Sequence, residues 1–504
     1  MNHHATVTID PAFRVGPVPP RLFGSFVEHM GRCVYGGIYD PGHADADGHG
    51  FRSDVRELVR ELGVSLVRYP GGNFVSGYNW EDGIGPVAER PVRLDRAWRA
   101  VETNEVGIDE FMRWITSVGC EPILAVNLGT KGIDEACNLL EYVNHPGGTA
   151  WSDLRIENGI PDPYGVKLWC LGNEMDGHWQ IGHKTGHEYG RLAVEVARAM
   201  RRIDPTIELV ACGSSNSSMP TFGAWESDVL EECHDLIDYI SLHAYYEQHG
   251  DDRASFLASA VDMDRMIEQV TATCDAVVAR HGSARRLGLS FDEWNVWYQQ
   301  RFDGDALTYG RPPALIEDDY SVTDAVVVGG LLVSLLRHAD RVQIACQAQL
   351  VNVIAPIRTE PGGSAWRQSI YDPFAATARH AQGDVLSAHV DSPLHGTERY
   401  GEVPLLDAVA TLDDDRGALT VILVNRATED TLDTHVVTRG LSAVEVVERT
   451  QLWDEDHGAT NSATAPDRVR MSPGDPVKQA DDELILSLPP ASWTMVRATI
   501  RSNS

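Results

Sequence analysis

Two glutamates stand in matching settings along the chain. Glu174 follows an apolar run in VKLWCLGNEMDGHW, and Glu293 follows another in LGLSFDEWNVW. Each has a tryptophan close by in sequence. A carboxylate carried out of an apolar strand is costly to bury unless it is paired or used. Two carboxyl groups facing one another across a cleft are what cleavage of a glycosidic bond requires. One protonates the leaving oxygen, and the other attacks the anomeric carbon or activates water. Their surroundings must then differ, so that one pKa is raised while the other group stays ionised. Asp292 is a rival for Glu293, but alternation along a strand turns it to the opposite face. Asp176, in the turn after Glu174, reads as a helix cap or turn residue.

The elements that must position these acids follow from the apolar pattern. Strand-like runs LFGSFVE, SLVRYP, PILAVN, VKLWCLGNE, IELVACG, YISLHAY, LGLSFDEW and RVQIACQAQ alternate with amphipathic stretches such as SDVRELVRELG, GIDEFMRWITSVG and GHEYGRLAVEVARAMRRID. That rhythm predicts a parallel sheet with crossover helices, and eight such units predict a (β/α)8 TIM barrel. In such a barrel chemistry sits where the strands end. The ends read Glu28-His29, Arg68-Tyr69, Asn127, Asn173-Glu174, His243-Ala244-Tyr245, Asp292-Glu293-Trp294, Gln347 and Gln349. Strand bodies are apolar, and the ends are acidic, amidic or aromatic. We place the catalytic barrel at residues 18–384. From 385 to 504 the texture changes to short alternating strands with Gly, Asp and Pro turns, predicting a C-terminal antiparallel β-sandwich domain. The opening ATVTID, within 1–17, adds a strand to it. Long Gly/Pro/Asp-rich loops at 77–100 and 298–320 exceed plain connectors and read as functional.

Composition narrows the partners. A formal charge of −32 argues against nucleic acid or anionic membrane surfaces and for a neutral substrate. No segment reaches the length of a membrane span, and MNHHATVTIDPAFRVG has no secretory pattern. Eight cysteines without a CxxC pair fit a reducing cytoplasm. Spacing for a metal site is absent, and no cofactor is expected.

Seven segments also carry a resemblance. LFGSFVEHMGRCVYGGIYDP, LVRYPGGNFVSGYNWEDGIGP, RAWRAVETNEVGIDEFMRW, WCLGNEMDGHWQIGHKT, ISLHAYY, LSFDEWNVWY and QLVNVIAPI, in that order from about residue 22 to 357, are similar to the α-L-arabinofuranosidases of glycoside hydrolase family 51. The resemblance implies a retaining, exo-acting enzyme that releases terminal arabinofuranose from arabino-oligosaccharides or arabinoxylan fragments. It makes Glu174 the acid/base and Glu293 the nucleophile. It assigns Glu28, Asn73 and Asn173 to sugar hydroxyls, Asn173 to the 2-hydroxyl, and Gln349 to a further one. Arg68 and Tyr245 would steady the ionised Glu293, His243 would lie beside the acid/base, and Trp98 and Trp297 would wall the sugar. It also implies a homo-oligomer, often a hexamer. Where some relatives have a cysteine after the second strand, this chain reads PGGNFVSG; that touches only hydroxyl contacts from the loop. The same acid pair would serve a β-xylosidase, an endoglucanase or an endoxylanase. A carbohydrate-binding protein without turnover would have no need of both acids.

Overall fold

Short apolar runs bounded by turn residues become the strands of a closed, eight-stranded barrel in the computed structural model, which describes residues 3–441, 443–480 and 482–500. In chain order the barrel strands are Arg21–Phe26, Leu66–Tyr69, Glu121–Ala125, Leu168–Leu171, Glu208–Ala211, Tyr239–Tyr246, Gly288–Val296 and Val342–Gln347. Every neighbouring pair is parallel, and the eighth strand closes on the first through Cys346 opposite Gly24 and Gln347 opposite Ser25. One main helix follows each strand, beginning with Ser53–Leu62 and ending with Tyr371–His380.

Local chemistry explains where these helices begin. Gly186–Ile203 starts at Thr185, whose hydroxyl accepts from Glu188 N at 3.3 Å while the Glu188 carboxylate accepts from Thr185 N at 3.0 Å. This reciprocal cap satisfies two N–H groups the helix cannot pair internally. Tyr189, Ala193, Val196, Ala197 and Met200 then form its buried stripe, at the spacing of one helical face.

The helix Val322–Arg337 breaks that pattern. It is buried from Val322 to Leu336, because the barrel covers one side and the C-terminal sheet the other. Its Gly329 admits the Trp493 indole so closely that a Cβ would collide with the ring.

The C-terminal strands form one ten-stranded sheet, curled over its own apolar core of residues such as Val7, Leu386, Leu423, Leu486 and Val496. The N-terminal strand His3–Pro17 runs through it. It pairs antiparallel with Asp384–Asp391, setting Val7 opposite Val390, and parallel with Leu432–Thr438, setting Val7 opposite Val436. The C-terminal antiparallel domain is present as expected, its strands joined in one sheet curled on itself and antiparallel but for that one pairing. A separate hairpin, Leu394–Thr397 with Gly401–Pro404, leaves the sheet and reaches toward the barrel.

The barrel floor is closed by charge. Arg21 donates to both oxygens of Glu121 at 2.7 Å and to Glu208 at 2.8 Å, and the Tyr239 hydroxyl donates to Glu208 at 2.6 Å.

Candidate active site

At the opposite end the strand termini converge on a pocket of about 900 Å³. Glu28, Asn73, Trp98, Glu174, Tyr245, Glu293, Trp297 and Gln349 all line it. Arg68, Asn173 and His243 are buried behind that wall, each in contact with a residue that forms it. The structure thus brings these residues together, whereas other strand-end residues bond elsewhere: His29 to Glu102 and Tyr69, Asn127 to the Tyr78 carbonyl and Thr130, and Gln347 to Asn295.

The two acids have unequal surroundings. A carboxylate oxygen of Glu174, one of Glu293 and a ring nitrogen of His243 all lie within 4.8 Å of one another. Glu293 accepts from Arg68 Nη1 at 2.7 Å and from the Tyr245 hydroxyl at 2.7 Å. A guanidinium and a phenol both favour its charged form. Glu174 instead accepts from His243 Nδ1 at 2.9 Å and from Trp179 Nε1 at 2.8 Å. Burial pushes its pKa above the ordinary carboxylate value; the His243 hydrogen bond opposes this, and the Glu293 charge adds to the rise. Glu174 also sits in the left-handed backbone region at φ 43°, a conformation that costs a non-glycine residue about 1–3 kcal/mol.

Behind the acids lies a charge cluster that strand alternation does not foresee. His243 Nε2 is 3.1 Å from Asp292, and Arg68 Nε is 3.5 Å from the same carboxylate. Asp292 therefore faces inward beside Glu293, against the expectation from alternation. The reason is a bulge: Ser290 to Glu293 on the seventh strand spans the same length as Ser241 to His243 on the sixth. One extra residue resets which side chains face the barrel interior. Burial alone would raise the Asp292 pKa, but Arg68 and His243 outweigh it and hold the group below its ordinary value. For His243, burial pulls downward, while Glu293, Asp292 and Glu174 together push the pKa well above the ordinary imidazole value. Both ring nitrogens are engaged, Nδ1 with Glu174 and Nε2 with Asp292. Asp176 is a turn residue as expected: it accepts from Ser215 N at 3.0 Å and so ties the loop after the fourth strand to the loop after the fifth.

On the far wall Glu28 accepts from Phe74 N and Trp98 Nε1, both at 2.9 Å, and from Gln349 Nε2 at 3.1 Å. Burial, with the Glu293 charge, pushes its pKa up to about 8. Gln349 Oε1 is buried without a partner among the described residues, an acceptor aimed at a site where a hydroxyl could supply the missing bond. Asn173 gives its oxygen to Arg68 Nη2 at 2.7 Å, and its amide nitrogen is 3.4 Å from Asn73. The tryptophan walls are joined by Phe302, whose ring is 6.3 Å from Trp98 and 6.1 Å from Trp297.

This arrangement has counterparts among known proteins. The chain matches the α-L-arabinofuranosidase 1 domain over residues 58–265 and the α-L-arabinofuranosidase C-terminal domain over residues 292–492. It is 58% identical to an intracellular exo-α-(1→5)-L-arabinofuranosidase of Streptomyces lividans, over 98% of this chain and 75% of that one. It is 50% identical to an exo-α-(1→6)-L-arabinofuranosidase of Bifidobacterium longum, over 97% of this chain and 96% of that one. A solved family 51 α-L-arabinofuranosidase from Bifidobacterium longum superposes with a TM-score of 0.95 at 46% identity, covering 99% of this chain and 100% of the other. The chain belongs to the family 51 α-L-arabinofuranosidases. It is accordingly a glycoside hydrolase.

The family's two sequence units divide this barrel rather than the two cores. The C-terminal unit begins at residue 292, inside the seventh barrel strand, so Glu174 and Glu293 fall in different units and meet only through the closed sheet. Three site residues escaped the strand-end reasoning. Trp179, 41% exposed, bonds Glu174 from five residues downstream, and its signal was a tryptophan inside the same short segment. Phe302 lies in a loop whose length alone marked it. Asp292 was hidden by the bulge, which no residue type announces.

Proposed function

We propose that this family 51 enzyme is a retaining, exo-acting α-L-arabinofuranosidase that works by double displacement. The observation that carries the reading is the pair of carboxyl groups within 4.8 Å, one braced by a guanidinium and a phenol, the other held by a histidine and an indole. Carboxyl oxygens no more than 4.8 Å apart leave no room for an interposed water and fit direct attack by one carboxylate. Glu293, ionised between Arg68 and Tyr245, attacks the anomeric carbon. Glu174, kept protonated by burial, gives its proton to the departing oxygen. Ester formation removes the Glu293 charge, so the Glu174 pKa falls and the group can take a proton from the incoming water. Glu28, Asn73, Asn173 and Gln349 hold the sugar hydroxyls, and Trp98 and Trp297 hold its apolar faces.

The substrate class is arabinofuranose at a non-reducing end, in arabino-oligosaccharides or arabinoxylan fragments. Relatives of comparable identity carry (1→5) and (1→6) names, and we place linkage choice in the pocket walls beyond the acid pair. A cytoplasmic location is in keeping with the intracellular names of several relatives, and no described helix is long and apolar enough to cross a membrane. Self-association follows from the family resemblance.

The test is Glu174→Ala on 4-nitrophenyl α-L-arabinofuranoside with and without azide. A good leaving group needs little protonation, so the arabinosyl enzyme should accumulate and azide should restore turnover as an α-arabinofuranosyl azide, the configuration of the substrate retained. A β-azide would overturn the retaining mechanism, and wild-type indifference to this substrate would overturn the sugar assignment.

A further inference from the structure

The pocket is larger than the chemistry needs. At about 900 Å³ it lies near the top of the range that encloses drug-sized ligands, well beyond one five-carbon sugar. The acids and the hydroxyl-binding residues account for one side only. The other side is lined by Ser217, Tyr246, Ser259, Asp262, Arg399 and Tyr400. The last two do not belong to the barrel. They sit in the turn of the hairpin that the C-terminal sheet sends across.

That hairpin is placed deliberately. A two-stranded ribbon alone is marginally stable, and this one is a sheet of its own, apart from the ten strands beside it. Its tip is pinned by backbone: Arg399 N donates to Ser255 Oγ at 3.1 Å, and Arg265 Nη2 donates to the Tyr400 carbonyl at 3.3 Å. Inside the turn Tyr400 N donates to Thr397 Oγ1 at 3.0 Å. With its main chain held this way, the tip delivers an exposed guanidinium and a phenol to the pocket edge. Facing them, Asp262 accepts from Ser217 Oγ at 3.3 Å and from the Tyr246 hydroxyl at 3.2 Å. Donors on the hairpin side and acceptors on the barrel side suit a neutral, hydroxyl-rich ligand.

We infer that this outer half of the pocket binds the sugar units beyond the scissile bond, and that Arg399 and Tyr400, presented by the C-terminal sheet, select the leaving oligosaccharide. The inference rests on the arabinofuranosidase reading above and adds a site to it. It gives the C-terminal domain a part in specificity. It also offers a place where linkage choice can be set, since the hairpin meets the sugar units of the leaving group beyond the oxygen that Glu174 protonates.

Steady-state kinetics of wild type, Arg399→Ala and Tyr400→Ala on two substrates test it. One is α-(1→5)-linked arabinotriose; the other is 4-nitrophenyl α-L-arabinofuranoside, which has no sugar beyond the scissile bond. The ratio of kcat/KM on arabinotriose to that on the aryl glycoside should fall about tenfold in Arg399→Ala, the loss expected for one charge-assisted hydrogen bond. Glu398→Ala, on the same exposed turn but outside the pocket, should leave the ratio at the wild-type value. Melting curves of Arg399→Ala, an exposed position, report whether the hairpin stays docked. An unchanged ratio in a folded Arg399→Ala enzyme overturns this inference alone. A wild type inactive on both substrates overturns the arabinofuranosidase reading and this ligand with it.

Discussion

Both ends of the barrel hold an arginine among acids, and the two clusters behave oppositely. At the floor Arg21 bridges Glu121 and Glu208, with about a fifth of its side chain (21%) open to water. At the mouth Arg68, 1% exposed, reaches Glu293 and Asp292, while Glu174 and Glu28 stand close by. Solvent at the floor screens the surplus acid, and there pairing prevails: burial would raise Glu208, but Arg21 and Tyr239 hold it below its ordinary value. At the mouth the acids are buried and poorly screened, and the cations are fewer than the acids. Glu174 and Glu28 consequently rise while Asp292 falls. Equal ingredients give a structural clamp where water enters and a set of divided pKa values where it does not. That division is what acid–base chemistry uses, and it agrees with the general placement of catalysis at the C-terminal face of such barrels.

The sharpest way to break the comparison is to remove each arginine in turn. Arg68→Met strands Glu293, Asp292 and the Asn173 oxygen in the interior. Breaking a buried ion pair this way costs about 3–5 kcal/mol, and losing the guanidinium that braces Glu293 should lower kcat by at least about 10²-fold. Denaturant melts and aryl-glycoside kinetics on the same preparation would check both. If kcat survives, the Arg68 contact to Glu293 is structural only.

The next effect is one of sign. Glu28 has a folded pKa of about 8 against 4.5 for the free group. Between those values the folded state keeps a proton that the unfolded state has released, so its contribution to stability is full below about 4.5 and is lost as pH rises through about 8. Melting temperatures measured from pH 5 to 8 should decline less steeply in Glu28→Gln than in wild type. Parallel curves would mean that Glu28 is already ionised in the folded enzyme. The floor runs the other way: Glu208, depressed when folded, contributes stability above the ordinary carboxylate value and loses it as pH falls further.

Smallest of all should be Arg21→Met. A partly hydrated pair of this kind is worth about 1 kcal/mol or less, so stability should drop by that much at pH 7 and kcat should not move. A loss as large as that of Arg68→Met would erase the distinction between the two ends.

Much of this was legible in the chain. Apolar bodies such as VKLWC and LGLSF, each ending on polar or acidic residues, announce strands that carry functional groups out of a core, because burying such groups unpaired is costly. The helices after Arg52 and Thr185 follow from amphipathic spacing and, at Thr185, from a reciprocal cap. Asp292 was misjudged because alternation assumes an unbroken register, and a bulge is an answer to barrel closure rather than to any local residue. Arg399 and Tyr400 could not be seen at all. Nothing near Thr397 indicates that a turn there will lie against Ser255.

By itself, then, the sequence determined which groups leave the core and at which strand ends, since hydrophobic burial and hydrogen-bond need act residue by residue along the chain. Only the tertiary structure decided how those groups divide their protons and what stands opposite them. His243 came to be shared because closure put it between Glu174 and Asp292. The outer wall of the pocket came from a sheet whose core is separate from the barrel's. Pairwise electrostatics depends on distance and on exclusion of water, and neither exists until the chain has closed around the site.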